Sequence, residues 1–452
     1  MKIIKSSEFN DYWKSRSIQK KDDTVDSVVK DIIAAVRSEG DTAVRKFATR
    51  FDKNSPQQLE VPFSAVKQAA DDLRRNDPEL AEALILAAEH IQRFSLKQRE
   101  QFFDFEYAME KGLVTGQRVI PVVKAAIYVP AGRFPLFSSV LMGLIPAFCA
   151  GVEEVILASP PGEDGLPDRN ILAAAGIALD NFLLPTSCLL PPTSNARLRV
   201  FAIGGAQAIA ALALGTESIP QVDLIVGPGN KYVAAAKRLL YGEVGIDFIA
   251  GPSDVLVIAD DVIADEFSSQ AADIAAADMI AQAEHDPDAC ARALVSNETL
   301  AEQVAAAIER QLALLPTSET ARTSLDANGL IVVYENKEEA VRIANIIAPE
   351  HLELQTSDDD WWLPRLKNYG SLFIGSLSAE ALGDYSVGIN HTLPTSGNAR
   401  FTGGLSVRHF LKTLTTLRCT AGDGFEKARN AAQVLAQAEG LAGHAASAGM
   451  RS

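Results

Sequence analysis

Four polar islands stand in an otherwise apolar, alanine-rich chain: Gln282-Ala283-Glu284-His285, Pro349-Glu350-His351, Gly383-Asp384-Tyr385 with Asn390-His391, and Glu439 through His444. The 452 residues include only six histidines, and four of these, His285, His351, His391 and His444, fall in the islands beside a carboxylate or carboxamide. Imidazole with carboxylate is the material of a zinc site or of a proton-transfer pair. Gln282 and His285 are three apart on a helical run, so one face presents both and they can share a metal. Glu350 and His351 follow a proline that ends a helix, and both can reach a pocket. There the glutamate can orient the imidazole and raise its pKa. Two His, one Asp and one Gln complete a zinc set of N and O ligands with exchangeable positions, which leaves Glu350 and His351 for acid–base work. Each island also has a plain structural reading: a buried polar pair at 282 and 285, an acidic loop at 350, turn chemistry around 384–391, and a fraying helix end at 444. His90 and His409 have no such neighbours and read as structural.

Islands so far apart must be assembled by the fold. From Asp22 to Arg99 the pattern is helical. Val25, Val28, Val29, Ile32, Ile33 and Val36 mark one buried face; Gly40 stops that helix, Asp41 can cap the next, and Asp77-Pro78 opens a third ending near Gln98. Short β-branched runs then alternate with helices. The strands are Ala125–Val129, Glu154–Ala158, Leu198–Ile203 and Asp223–Val226; the helices are Ser138–Ala150, Ala206–Leu214 and Lys231–Leu240. A second alternating block has strands Val255–Ile258, Ala291–Val295, Leu330–Tyr334 and Ser371–Ile374. Its helices are Ala264–Glu284, Leu300–Leu315 and Lys337–Ile347. This is α/β: two Rossmann-like doubly wound domains in series, with a helical N-terminal segment and a small C-terminal tail domain. The tail, from about Leu405, has a turn at Ala421–Gly424 and a helix from Phe425, with little apolar surface of its own.

A net charge of −16 argues against nucleic acid and against anionic membranes as partners. The longest apolar run, Val200–Gly215, is broken by glycines and Gln207, so no membrane span is expected. Cys149, Cys188, Cys290 and Cys419 are widely spaced and read as a reducing, cytoplasmic compartment; the charged N-terminus shows no signal peptide. The only approach to a dinucleotide fingerprint is Gly227-Pro228-Gly229-Asn230-Lys231-Tyr232, which lacks the third glycine. Glycine turns at Gly204-Gly205-Ala206-Gln207 and Gly251-Pro252-Ser253 add backbone-rich loops that can line a crevice.

Several of these segments together resemble one family. Ile225-Val226-Gly227-Pro228-Gly229-Asn230, Gly245-Ile246-Asp247 to Gly251-Pro252-Ser253, Gln282 to Pro287, Ala348 to Leu354, Gly383-Asp384-Tyr385 through Asn390 to Thr395, and Glu439-Gly440-Leu441 with His444 are similar, in order, to the histidinol dehydrogenase family. The resemblance implies an NAD-dependent enzyme that oxidises L-histidinol to L-histidine through the aldehyde in two hydride transfers. It also implies one zinc ion per subunit and a homodimer whose C-terminal tails cross over. It places the zinc ligands on Gln282, His285, Asp384 and the partner's His444, and the acid–base pair on Glu350 and His351. Other substrate contacts fall on Ser253, His391 and Glu439, and cofactor contacts on Tyr128, Gln207 and Asn230. The expected division is 1–21 as N-terminal segment, 22–128 with 255–404 as the zinc and base domain, 129–254 as the NAD domain, and 405–452 as swapped tail.

The chain departs from the family pattern in places. Ala131 replaces a usual glycine, Asp254 a usual glutamate, and His409 stands where aspartate is common. Asp180–Arg197 and Ser268–Ala277 look inserted, the first beside the expected cofactor crevice. Two other readings fit such a chain: a related dehydrogenase of another small alcohol, such as a sulfonated diol, or a homologue without activity. Retention of Ser253, His391, Glu439, every ligand and the base favours histidinol.

Overall fold

A computed structural model describes residues 1–16, 23–52, 54, 58–131, 135–183, 197–260 and 270–451. Most of the Asp180–Arg197 stretch, and the 261–269 segment where Ser268–Ala277 and the Ala264 helix were expected to begin, lie outside the described residues. Two six-stranded sheets and one three-stranded sheet organise the chain. In the first large sheet, strand Lys124–Tyr128 lies parallel between Glu154–Ser159 and Leu224–Val226. Arg197–Ala202 follows outward, and Glu60–Val61 adds an antiparallel edge. The period of two is visible in burial: Ala125 and Ile127 enter one apolar cluster, Ala126 and Tyr128 the other.

Both faces of such a sheet must be covered, and the N-terminal helices help to cover them. Val25, Val29, Ile32 and Val36 pack with Ala126 and Tyr128, while Val66, Leu84 and Ile91 pack with Ala125 and Ile127. The grouping of 22–128 with 255–404 is therefore corrected: the helices of 23–99 belong to the sheet that continues through 129–246. Asp77 caps the helix Pro78–Arg99, accepting from the Leu80 N–H at 3.2 Å. Asp41 does not cap its helix; Gly40 precedes it at φ 54°, and the Asp41 carboxylate instead accepts from the Thr216 and Ser218 hydroxyls.

The second large sheet is wholly parallel. Asp254–Ala259 lies between Cys290–Val295 and His351–Gln355; Leu330–Val333 and Ser371–Ile374 extend it on the two sides. Its outer edge is Lys2–Lys5, paired with Leu330–Val333, so the segment 1–21 opens as a strand before the helix Phe9–Arg16. A helix-to-strand junction was expected at Glu350 and His351, and the strand that begins there, His351–Gln355, takes a central place in the sheet. Its sequence, HLELQ, is rich in polar residues, yet all five positions are buried. The helix leading to Gln282 runs Ala271–Ala283.

The third sheet is antiparallel: Leu411–Cys419 pairs with Leu113–Pro121, which pairs with Phe105–Glu110. The tail is thus not confined to 405–452, because it shares a sheet with residues 105–121. It also carries more exposed apolar surface than expected, including Leu414, Leu417, Val434 and Leu435. Among the described residues, no helix is long and apolar enough to cross a membrane.

Candidate active site

Three elements of the second sheet's domain bring the first three islands together. Gln282, fully buried, ends the helix Ala271–Ala283, and His285 follows one turn later at the exposed rim. The helix Lys337–Ile347 stops at Ala348, whose left-handed φ of 49° turns the chain into the strand that begins at His351. Asp384 lies on the short helix Glu380–Tyr385. That helix approaches the sheet closely at Gly383, where a Cβ would come within 2.5 Å of the Phe373 ring.

The contacts join these residues into one network. Gln282 donates its Nε2–H to His285 Nδ1 at 3.2 Å, and its Oε1 accepts from His351 Nδ1 at 3.0 Å. On the other side of the ring, His351 Nε2 lies 3.5 Å from Asp384 Oδ1. Both of those atoms are buried and have no hydrogen-bond partner. Glu350 is fixed by reciprocal backbone bonds. Its Oε2 accepts from the Asp254 N–H at 3.1 Å, and its own N–H donates to Asp254 Oδ1 at 3.0 Å. Arg292 holds the other oxygen of Asp254 at 3.0 Å. The shorter Asp254, where a glutamate is usual, serves as the brace of Glu350.

Burial and charge tune the group. Burial pushes the Glu350 carboxyl up to about 8, against the attraction of His351. Burial also opposes charge on His351, but Glu380, Asp384 and Glu350 outweigh it and push the imidazole up to about 10. Burial works against the Asp384 carboxylate too, yet the His351 imidazole holds it below its ordinary value. Burial lowers His391, and its Nε2 lies 3.4 Å from Ser139 Oγ on the first sheet's helix Phe137–Ala150. Ser253 immediately precedes Asp254 and is partly buried. The turn Gly251-Pro252-Ser253 therefore enters a strand; it does not link a strand to a helix.

Sequence reasoning missed one member, Glu380, and His90, read as structural, braces the site from outside. Glu380, one turn before Asp384, is buried with its Oε1 3.3 Å from His351 Nδ1. His90, on the helix Pro78–Arg99, has its Nδ1 2.6 Å from the Ser386 carbonyl oxygen, so it ties the turn after Asp384 to the helical layer. Neither residue has a local motif; Glu380 could have been found only through its four-residue spacing from Asp384. His409 stays structural, its Nδ1 accepting from the Ser406 N–H at 3.2 Å.

The expected cofactor residues gather at the C-terminal edge of the first sheet, where open α/β sheets bind ligands. Tyr128 is buried at the end of its strand, and its hydroxyl accepts from the Gly205 N–H at 3.0 Å. Gln207, also buried, donates its Nε2–H to Asp52 at 3.4 Å. Asn230 is exposed and caps the helix Lys231–Leu240 through the Tyr232 and Val233 N–H groups. The loop before it is braced from below. Lys237 and Asp247 form a buried ion pair, and both also bond the backbone of Gly227, Lys237 to its oxygen at 2.9 Å and Asp247 to its nitrogen at 2.8 Å. Lys237→Met leaves Asp247 charged and unpaired, so it should cost about 3–5 kcal/mol in a urea unfolding measurement. An unchanged midpoint would mean that the pair braces nothing.

Glu439 and His444 are not brought to this cluster within one chain. They lie exposed on the tail, where Gly440, at φ 77°, separates the helix Asp423–Ala438 from Ala442–Gly449.

Comparison with known proteins identifies the arrangement. A family model described as histidinol dehydrogenase matches residues 15–452. The histidinol dehydrogenase of Thermus thermophilus is 44% identical over 430 residues, 95% of each chain. That of Pseudomonas aeruginosa is 43% identical over 97% of this chain and 92% of its own. The crystal structure of histidinol dehydrogenase from Elizabethkingia anophelis, at 32% identity, covers all of this chain and 97% of that one with a TM-score of 0.86. Ordered motifs, a doubly wound pair of sheets and near-complete coverage of these relatives agree, and the chain belongs to the histidinol dehydrogenase family.

Proposed function

We propose that the chain oxidises L-histidinol to L-histidine through the aldehyde with two molecules of NAD, as a cytoplasmic homodimer holding one zinc ion per subunit. The observation that carries this is the buried His351 Nε2, unpartnered and 3.5 Å from an equally unpartnered Asp384 oxygen. Buried polar atoms are seldom left without partners. A base and a ligand waiting for substrate and cation account for both.

The donor chemistry fits zinc. Gln282, His285 and Asp384 offer carboxamide, imidazole and carboxylate, and a catalytic zinc site takes such N and O ligands with an open position. The partner's His444 would be the fourth ligand. When bound, the zinc would anchor the amino and imidazole nitrogens of the substrate and offset carboxylate charge beside His351. Ser253, His391 and the partner's Glu439 would complete the substrate's surroundings. Tyr128, Gln207 and Asn230 would hold NAD, with the Gly227 loop beside them.

The chain's own groups account for the proton transfers. His351 Nε2 takes the hydroxyl proton as hydride leaves the carbinol carbon for the nicotinamide. Glu350, held rigidly by Asp254 and ionised as the pH rises through about 8, takes a proton from the water that adds to the aldehyde. His351 gives its proton to the aldehyde oxygen as the hydrate forms and, neutral again, takes a hydroxyl proton of the hydrate as the second hydride leaves. Close positioning supplies the rest, since the reacting carbon is held against a fixed base.

The test measures NAD reduction with L-histidinol against a panel of other small alcohols, a sulfonated diol among them, with metal analysis of the purified chain and of His285→Ala. Turnover specific to histidinol and about one zinc per chain are expected, with zinc lost from the folded variant. A variant that keeps its zinc would remove His285 from the ligand set. Turnover only with another alcohol would overturn the substrate.

A further inference from the structure

Resting on that reading of His351, we infer that Glu380 is a positioning residue for the base: it holds the Nδ1–H of His351, so that Nε2 alone faces the substrate. Nothing in the sequence marks this residue. Its place in the fold does.

The imidazole is bracketed by one helix. Glu380 and Asp384 are four apart on Glu380–Tyr385 and so share a face. The first lies 3.3 Å from Nδ1 and the second 3.5 Å from Nε2 of the same ring. The ring is further confined by Phe373, whose centroid is 5.9 Å away. Which nitrogen of a histidine carries the proton is set by the bond that the other makes. An acidic oxygen at Nδ1 fixes the proton there and leaves Nε2 as the acceptor.

Two oxygens compete for that N–H. Gln282 Oε1 is nearer, at 3.0 Å, but Gln282 is also a candidate zinc ligand. A carboxamide oxygen committed to a cation is a poor acceptor for a second charged partner. Glu380 is not among the four expected ligands, although its oxygen lies with His351 and Asp384 in a cluster close enough to share a cation. It is 2% exposed, its N–H donates to Glu353 Oε1 at 3.3 Å, and its Oε2 has no hydrogen-bond partner. A buried carboxylate this poorly satisfied costs stability, and its one engaged oxygen faces the base. By lying against Nδ1, Glu380 keeps the ring oriented with Nε2 toward the substrate, which acts on turnover rather than on substrate binding.

Glu380→Gln, made in the full chain and loaded with zinc, tests this. Zinc content and KM for histidinol should stay within about twofold of the parent, while kcat falls by about 10- to 100-fold, the usual effect of removing such a partner. In a His351→Asn background the same substitution should cost almost nothing, because the two act as one unit. Glu380→Asp, which keeps the charge, should recover part of the loss and serves as the reading if the glutamine variant does not fold. Lost zinc would make Glu380 a ligand instead. A raised KM with kcat unchanged would make it a substrate contact. An equal loss in the His351→Asn background would make it merely structural. If His351→Asn itself retains turnover, the reading of the base fails, a different result from a failure of Glu380.

Discussion

Replacing His351 with asparagine should slow histidinol oxidation by about two to four orders of magnitude, the usual worth of a positioned base, while zinc content and fold persist. The expectation follows from where the ring sits. It opens the strand His351–Gln355 at the centre of a parallel sheet, paired to Val255 on one side and Ser371 on the other. Backbone pairing fixes the Cα, Gln282 and Glu380 hold Nδ1, and Nε2 is left free. Asparagine keeps the strand and can still bond through its amide, but it cannot take a proton near neutral pH. If the base serves both oxidations, as proposed, both should slow. Single-turnover NAD reduction would show the loss directly, free of product release. A variant with near-normal turnover would leave Glu350, 5% exposed and braced by Asp254, as the only base beside the reacting carbon.

The pairing that makes this site was only partly legible in the sequence. Helical and strand periodicity gave two doubly wound sheets, because apolar residues dominate their strands: Ile127, Leu157 and Val200 in one, Val255, Leu294 and Ile331 in the other. The islands were legible because histidine is scarce, and Gln282, His285, Glu350, His351 and Asp384 do meet. Periodicity says nothing of which sheet a helix covers. Val25–Val36 is equally amphipathic against either, so its assignment to the first sheet required the packing. The junction of helix and strand at Glu350 and His351 was legible, but the burial of the strand His351–Gln355 was not, because a buried histidine, glutamate and glutamine look like solvent-facing residues until partners are seen. Gln355 Nε2 bonds Glu353 at 2.8 Å, two residues away on the same face of the strand, and Asp278 at 2.8 Å, which lies 77 residues away and beyond any local pattern. Glu380 and His90 act across 29 and 296 residues, on His351 and Ser386 respectively, and no local signal reaches so far.

Mixing an inactive His351→Asn chain with an inactive His444→Ala chain should restore activity, up to about half the normal value per mixed dimer. The site within one chain has three candidate zinc ligands, and His444 is on a tail that packs chiefly on itself and on strand Leu113–Pro121. The tail exposes Leu414, Leu417, Val434, Leu435, Leu441 and Met450, and the far strand of its sheet exposes Phe105, Tyr107 and Met109. Apolar surface of that extent is expected to dock on a second copy of the chain. Glu439 and His444, five apart, would diverge by about 140° on one regular helix. Gly440, in the left-handed region at φ 77°, breaks the helix between them and frees each to turn toward a common cleft. If two copies exchange tails about a two-fold axis, each cleft receives the other chain's His444. In the mixed dimer one cleft then combines His351→Asn with the defective tail, and the other has an intact base and an intact His444. Complementation needs both mutations to be silent in that second cleft, which happens only if the tail crosses. With mixed dimers shown to form by differential tagging, absence of restored activity would place His444 in its own subunit's site.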